Sequence, residues 1–307
     1  MEKIFGNRTV LDTFESMLKN NRVAHAFLIF GAKGLGKKSI AAYMASKIAE
    51  TTHPFSHPDI IFAQHSGKTN GFSVADLRKI CSDAYIIPNT SERKVYVFND
   101  CDNISTAAQD TLLKIVEEPP PYAHFIFTAS DKSIFLPTII SRVISLGVSE
   151  CSYDECKEAL SGDYSIEDIN EAYSVFSGNI GLMKEYLIGG NLKTAVSVTK
   201  DITESIISGN EYDMLKALNG LDNDREMAKT VLSMVDKVIR DCSVMKISEV
   251  GPISCYSKGA KKLSDSISVK KAGIIHGITE KTLKELDTNV NLSIMLSSYC
   301  AQLISIR

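Results

Sequence analysis

The chain has 307 residues, 44% hydrophobic and 23% charged, with a formal net charge of −3. That length at ordinary globular composition exceeds one small core and points to two or three domains. The near-neutral charge excludes a protein wrapped in nucleic acid over its whole surface and leaves only regional contact. Seven cysteines, at positions 81, 101, 151, 156, 242, 255 and 300, form no CxxC pair and suit reduced thiols. The charge-studded start lacks the apolar run of a signal peptide, and no later stretch reaches the length of a membrane span, so the expected location is the cytoplasm, with no membrane partner.

In chain order, "TVLDTFESMLKNN" repeats apolar residues at helical spacing, "HAFLIFG" is a short buried strand ending on glycine, and "KKSIAAYMASKIAE" is helical again. "SVADLRKICSDAY" reads as a helix and "KVYVFND" as a buried strand. "STAAQDTLLKIVEEPP" is a helix stopped by Pro119, and "HFIFTAS" is another strand. Strands alternating with helices imply a mostly parallel sheet covered on both faces. After "SRVISL" the strand signals fade and amphipathic helices take over. In "EMAKTVLSMVDKVIRDCSVM" the expected core stripe is Met227, Val231, Met234, Val235, Val238 and Cys242. The expected domains are therefore an α/β unit over 1–147, a small helical domain over 148–205 and a second, all-α domain over 206–307.

Within the first β-loop-α unit, four residues separate Gly31 from Gly36, and Lys37 follows at once, the spacing of a phosphate-cradling P-loop. Gly31, Gly34 and Gly36 let backbone N–H groups turn inward, Lys37 supplies charge, and the following helix adds its positive end. A hydrolytic site also needs a Ser or Thr hydroxyl directly after that lysine to hold Mg²⁺. Lys38 stands there instead, and an ammonium cannot ligate a cation. Ser39 lies one residue later, turned about 100° around a helix. The acidic pair expected at the end of a neighbouring strand is also altered, because "VYVFND" places Asn99 before Asp100. A register shift that brings in Asp100 or Asp102 remains open, as does the plain reading of both acids as solvated loop or helix-start residues.

"NRVAHAFLIFGAKGLGKKSIA", "HPDI", "KVYVFNDCDNISTAAQDTLLKIVEEPPPYAHFIFTAS" and "LPTIISR" together resemble the clamp-loader AAA+ proteins of bacterial DNA replication. "DTNVNLSIMLSSYC" is similar to the Asn-containing helix of that family's C-terminal collar. The similarity is dense to about residue 145, sparse to 205 and thin beyond. It implies an α/β AAA+ P-loop domain, a helical lid and a helical collar that oligomerises. In the family's ATP-hydrolysing gamma/tau subunit, a lid arginine reads the γ-phosphate; in "SGNIGLMKEYL" its place is taken by Gly181. With Lys38, Asn99 and Gly181 all altered, the resemblance implies the family's non-hydrolysing kind of subunit, with a degenerate P-loop at Gly31, Gly34, Gly36 and Lys37.

Ser141-Arg142 matches the family's Ser-Arg-Cys element, with Val143 in place of the cysteine. The resemblance gives Arg142, with Ser141 beside it, a catalytic role in trans: an arginine finger for a neighbouring subunit's ATP. Implied partners are the delta and gamma/tau subunits, the sliding clamp indirectly, and primed DNA through the assembled complex. No cofactor of its own is expected, although ATP or ADP held without turnover stays open. The four zinc-binding cysteines of many relatives are missing, and His53, His57 and His65 make no thiolate site, so no metal is expected. His25 reads as structural, and Cys151 and Cys156 as ordinary helix residues. Between Met1 and Glu50, Lys3, Lys19, Lys33, Lys37, Lys38, Lys47, Arg8 and Arg22 face Glu2, Asp12, Glu15 and Glu50, a modest basic excess that a solvated helix face also explains. The lysines at 258, 261, 262, 270 and 271 read the same way. Two rivals complete the readings: an autonomous ATPase using Ser39 and Asp100, and a small-molecule P-loop kinase.

Overall fold

A computed structural model describes residues 3–67, 71–221, 224–248, 251–286 and 288–306. The chain divides into two compact units, Met1–Ala159 with Asn179–Gly181, and Leu160–Gly178 with Leu182–Arg307.

The first unit is built on five parallel strands, β1 (Ala26–Phe30), β2 (Ile60–Phe62), β3 (Lys94–Phe98), β4 (Ala123–Ala129) and β5 (Ile144–Gly147), in the order β2-β3-β4-β1-β5. Helix α1 (Arg8–Lys19) precedes β1; α2 (Lys37–Ile48), α3 (Val74–Asp83), α4 (Thr106–Glu117) and the short α5 (Pro137–Ile140) lie between successive strands, and α6 (Tyr153–Leu160) follows β5. β3 and β4 are buried along their whole length, as continuous apolar runs in a doubly covered parallel sheet should be. One face packs Phe27, Ile29, Val95, Val97 and Ile126 against Ile40, Met44 and Ile48 of α2. The other packs Leu28, Tyr96, Phe98, Phe125 and Phe127 against Leu112 and Ile115 of α4. Ser73 and Ser105 cap α3 and α4, each accepting from the backbone N–H three residues on. Both α/β alternation and parallel pairing agree with the expected fold class. β4 stands between β1 and β3, so the strand carrying the acids is the loop strand's neighbour but one.

The HPDI stretch serves the fold. Asp59 is fully buried, and its carboxylate accepts from the backbone N–H of Asn89 (2.6 Å), Thr90 (2.7 Å) and Ser91 (3.0 Å), with further bonds from the Asn89 amide and Thr90 hydroxyl. This binds the turn before β3 to the start of β2. His25 and His124 stack 5.2 Å apart, and each ring Nδ1 bonds a carbonyl across the strands, His25 to Ala123 and His124 to Ala24, both at 2.9 Å. Burial pushes the His124 imidazole down to about 4, so it is neutral at physiological pH. His25 is thus an interstrand brace.

The second unit is helical throughout its described residues: α7 (Ile166–Phe176), α8 (Ile180–Ile188), α9 (Asn191–Ser208), α10 (Glu211–Asn219), α11 (Arg225–Val244), α12 (Ser257–Ser266), α13 (Val269–Glu285) and α14 (Leu292–Ser305). The 18-residue α9 runs unbroken through position 205. The α11 stripe sits slightly rotated from expectation: Ala228, Leu232 and Ile239 join Val231, Val235, Val238 and Cys242 in the core, while Met227 and Met234 are only partly buried against it. Long flexible methionines can lie along the edge of a core that branched side chains fill. Asp241, also buried, accepts from the N–H of Ile253 (2.9 Å) and Ser254 (2.7 Å) and pins the chain entering α12. Arg225 donates to the carbonyls of Leu286, Thr288 and Val290, and so shapes the approach to α14, which Asn291 caps. No helix of the described residues is long and apolar enough to cross a membrane.

Candidate functional site

The loop after β1 turns through three glycines with positive φ, Gly31 (152°), Gly34 (91°) and Gly36 (79°), and delivers Lys37 as the first residue of α2. This is the strand-loop-helix geometry the spacing predicts. Lys37 is nearly buried, and its ammonium donates to the loop's own carbonyls, Gly31 O at 2.7 Å and Ala32 O at 2.9 Å. Burial lowers its pKa, opposed by the carboxylates of Asp102 and Asp100. The ammonium of Lys37 is thus satisfied by its own loop.

Lys38 points across to the end of β3, where its Nζ lies 2.5 Å from Asp100 Oδ2. Asp100 takes a left-handed backbone (φ 51°) and anchors its N–H on the Thr128 hydroxyl at 2.9 Å. The backbone carbonyl of Asn99 meets His65 Nε2 at 2.8 Å, while Asp102 accepts from the Ser130 N–H at 2.8 Å and from its hydroxyl. Both acids considered in shifted registers therefore carry partners of their own. Ser39 lies on a different part of the surface, beside Thr52, His53 and Phe55.

Gly181 closes the site. Its N–H donates to Gly34 O at 3.0 Å, and Asn179 Nδ2 donates to Lys33 O at 2.7 Å. A Cβ on Gly181 would fall 2.5 Å from Gly34 O, and one on Gly34 would fall 2.2 Å from Asn179 Oδ1. The segment 179–181 thus sits on the loop backbone at a distance only glycine permits. An arginine at 181 has no room in this packing.

These donors do not fit a magnesium-bound nucleotide. Mg²⁺ requires hard oxygen ligands in octahedral geometry. Where such an ion would meet the loop and the acidic strand, the chain presents an ammonium already paired to the nearest carboxylate.

Arg142 follows α5 at the turn into β5. Its Nη1 donates to Thr138 O and to Ser141 Oγ, both at 2.9 Å, and its Nη2 lies 2.9 Å from Glu117 Oε1 at the end of α4. Ser141 in turn donates to Thr138 O at 2.9 Å. The Arg142 side chain is about two-fifths exposed, so it can be reached from outside. The Glu117 contact is one that sequence reading missed; the "EEPP" run drew attention to the position without giving its partner.

The remaining candidates fall apart in space or have structural work. His57 Nδ1 accepts from the Asp59 N–H at 3.2 Å, and among the described residues no group of three or more His, Cys, Asp or Glu could hold a metal. Cys156 lies within α6, but Cys151 precedes the helix and packs near Phe5 and Gly6, a correction to its expected place. Of the basic residues near the start, Lys3 pairs with Glu158, Lys38 with Asp100, and Lys47 lies over the Tyr43 ring. Lys262 pairs with Glu204 at 2.8 Å.

Residues 6–151 match the family described as DNA polymerase III, delta subunit. The DNA polymerase III gamma/tau subunit of Mycobacterium tuberculosis (strain ATCC 25618 / H37Rv) is 29% identical over 161 residues, covering 46% of this chain and 27% of that protein. The tau subunit of Bacillus subtilis (strain 168) is 25% identical over 273 residues, covering 76% of this chain and 48% of that one. The chain thus spans less than half the length of these curated relatives. A crystal structure of a DNA polymerase III gamma subunit-related protein from Thermotoga maritima superposes with a TM-score of 0.52 at 17% identity, covering 96% of this chain and 99% of that one. This last likeness shows a shared fold.

Proposed function

We propose that this chain is a delta-prime-type clamp-loader subunit of DNA polymerase III, one that turns over no ATP itself and completes a neighbour's ATPase site, a reading supported by the likeness of residues 6–151 to the delta-subunit family and of the longer chain to a tau subunit. The observation that carries this reading is the Lys38–Asp100 pair, a protein cation paired with the carboxylate nearest the loop. A loop so paired, with Lys37 turned onto its own carbonyls, offers neither a metal site nor a free acid to activate water. Arg142 supplies a forked cation at the surface, suited to the charge that develops on a transferring phosphoryl group. In this assignment residues 1–147 form the AAA+ P-loop domain, 148–205 the lid and 206–307 an oligomerising collar. The partners are delta and gamma/tau subunits, with the sliding clamp and primed DNA met through the assembly.

A gamma/tau-type hydrolysing subunit is the second reading, favoured by the names of the curated relatives. Lys38, the uncharged Asn99 and the tight Gly181–Gly34 contact weigh against it. The test is ATP turnover by the isolated chain, followed by turnover of the reconstituted complex with Arg142→Ala. The expected results are no turnover alone and, in the complex, a loss of DNA-stimulated ATPase of about 10³-fold at the site completed, the low end for an arginine finger. Magnesium-dependent turnover by the isolated chain would establish the second reading.

A further inference from the structure

Glu117 is placed against its local interest. It is the last residue of α4, where helix carbonyls concentrate negative potential, and Glu118 follows it. A carboxylate at that end gains nothing from the helix. Its partner comes from elsewhere in the chain: Arg142 Nη2, at 2.9 Å. The other guanidinium bonds run to Thr138 O and Ser141 Oγ, so Arg142 lies folded onto its own subunit. The Glu117 and Arg142 side chains are 36% and 40% exposed. Exposed pairs of this kind are weak and exchange readily, while a phosphate group offers a guanidinium more charge and two parallel bonds.

We infer that Glu117 is a detachable holder for Arg142. It keeps the guanidinium against α5 and yields it to the phosphates of a nucleotide on a neighbouring subunit, and so sets how readily that neighbour's site is completed. Glu117 is a positioning residue, acting only through Arg142. This inference rests on the reading of Arg142 as a finger in trans.

The experiment compares the reconstituted complex carrying wild-type chain, Glu117→Gln, Arg142→Ala and the double variant. ATPase is followed against ATP concentration, without primed DNA. Glutamine keeps the shape of Glu117 and removes its charge, and both side chains are exposed enough for the fold to tolerate the changes. Glu117→Gln is expected to raise kcat/KM for ATP about twofold to fivefold, which corresponds to losing a pair of this exposure. The rise should vanish in the Arg142→Ala background and shrink as added salt screens the pair in the wild type. An unchanged or lowered kcat/KM in Glu117→Gln overturns the holder, as does an equal rise in the double variant. If Arg142→Ala itself leaves ATPase unchanged, the finger reading fails instead, and the two failures are told apart in one set of curves.

Discussion

Replacing Asp59 with alanine tests how the first unit is held together. The substitution strands the backbone N–H groups of Asn89, Thr90 and Ser91, all now bonded to a carboxylate with no solvent exposure. A buried donor left without a partner costs about 1–3 kcal/mol. The three share one turn that can relax, so the sum is not additive, and we expect a loss of about 3–5 kcal/mol. Asparagine keeps one acceptor oxygen and should cost about half as much. Urea unfolding followed by circular dichroism measures both. The pH dependence gives a second check. Burial alone would push the Asp59 carboxyl up, but the N–H groups of Asn89, Ser91 and Thr90 and the Thr90 hydroxyl outweigh it and hold the group well below the usual carboxylate range. Its folded pKa is depressed, so its contribution is fully present above the unfolded value of about 4 and is lost as pH falls toward the folded value. The difference between wild type and Asp59→Asn should therefore be constant from neutrality to about pH 5 and narrow below pH 4. An Asp59→Ala protein within about 0.5 kcal/mol of wild type at pH 7 would refute the account.

Gly181→Ala should destabilise the chain by about 1–3 kcal/mol, read as a lowered thermal midpoint, because its Cβ would fall 2.5 Å from a backbone oxygen. A neutral result would mean that segment 179–181 is free to move off the loop. Arg225→Lys should cost about 1–2 kcal/mol in urea unfolding, since one ammonium cannot reproduce the fork that reaches the carbonyls of Leu286, Thr288 and Val290.

The elements with strong local signals are legible in the sequence. β1, the loop, α2, β3, α4 and β4 carry apolar runs, periodic stripes, glycines and a terminating proline, and each occupies its expected stretch. β2 is not, because Ile60–Phe62 is three residues long and too short to show a period. At the site, residue types gave Lys37, Lys38, Asn99 and Arg142 as positions of interest. Their partners lay beyond local reading: Asp100 is far along the chain from Lys38, Glu117 ends a helix that precedes Arg142 by a whole strand, and Asp59 meets a turn at 89–91. Pairing across a sheet end or between helix termini leaves no periodic trace. Gly181 shows the same limit from the other side. Its identity was visible as a missing arginine, but the reason it must be small is the backbone of Gly34.

The Lys38–Asp100 bond has a further consequence for a cell in which free magnesium and the ratio of ATP to ADP drift with growth. The countercharge for Asp100 is part of the polypeptide, made with the chain and present at one copy per copy. Its supply, unlike that of a bound ion, is indifferent to metabolite levels. The cation at this corner is therefore present in starved and growing cells alike.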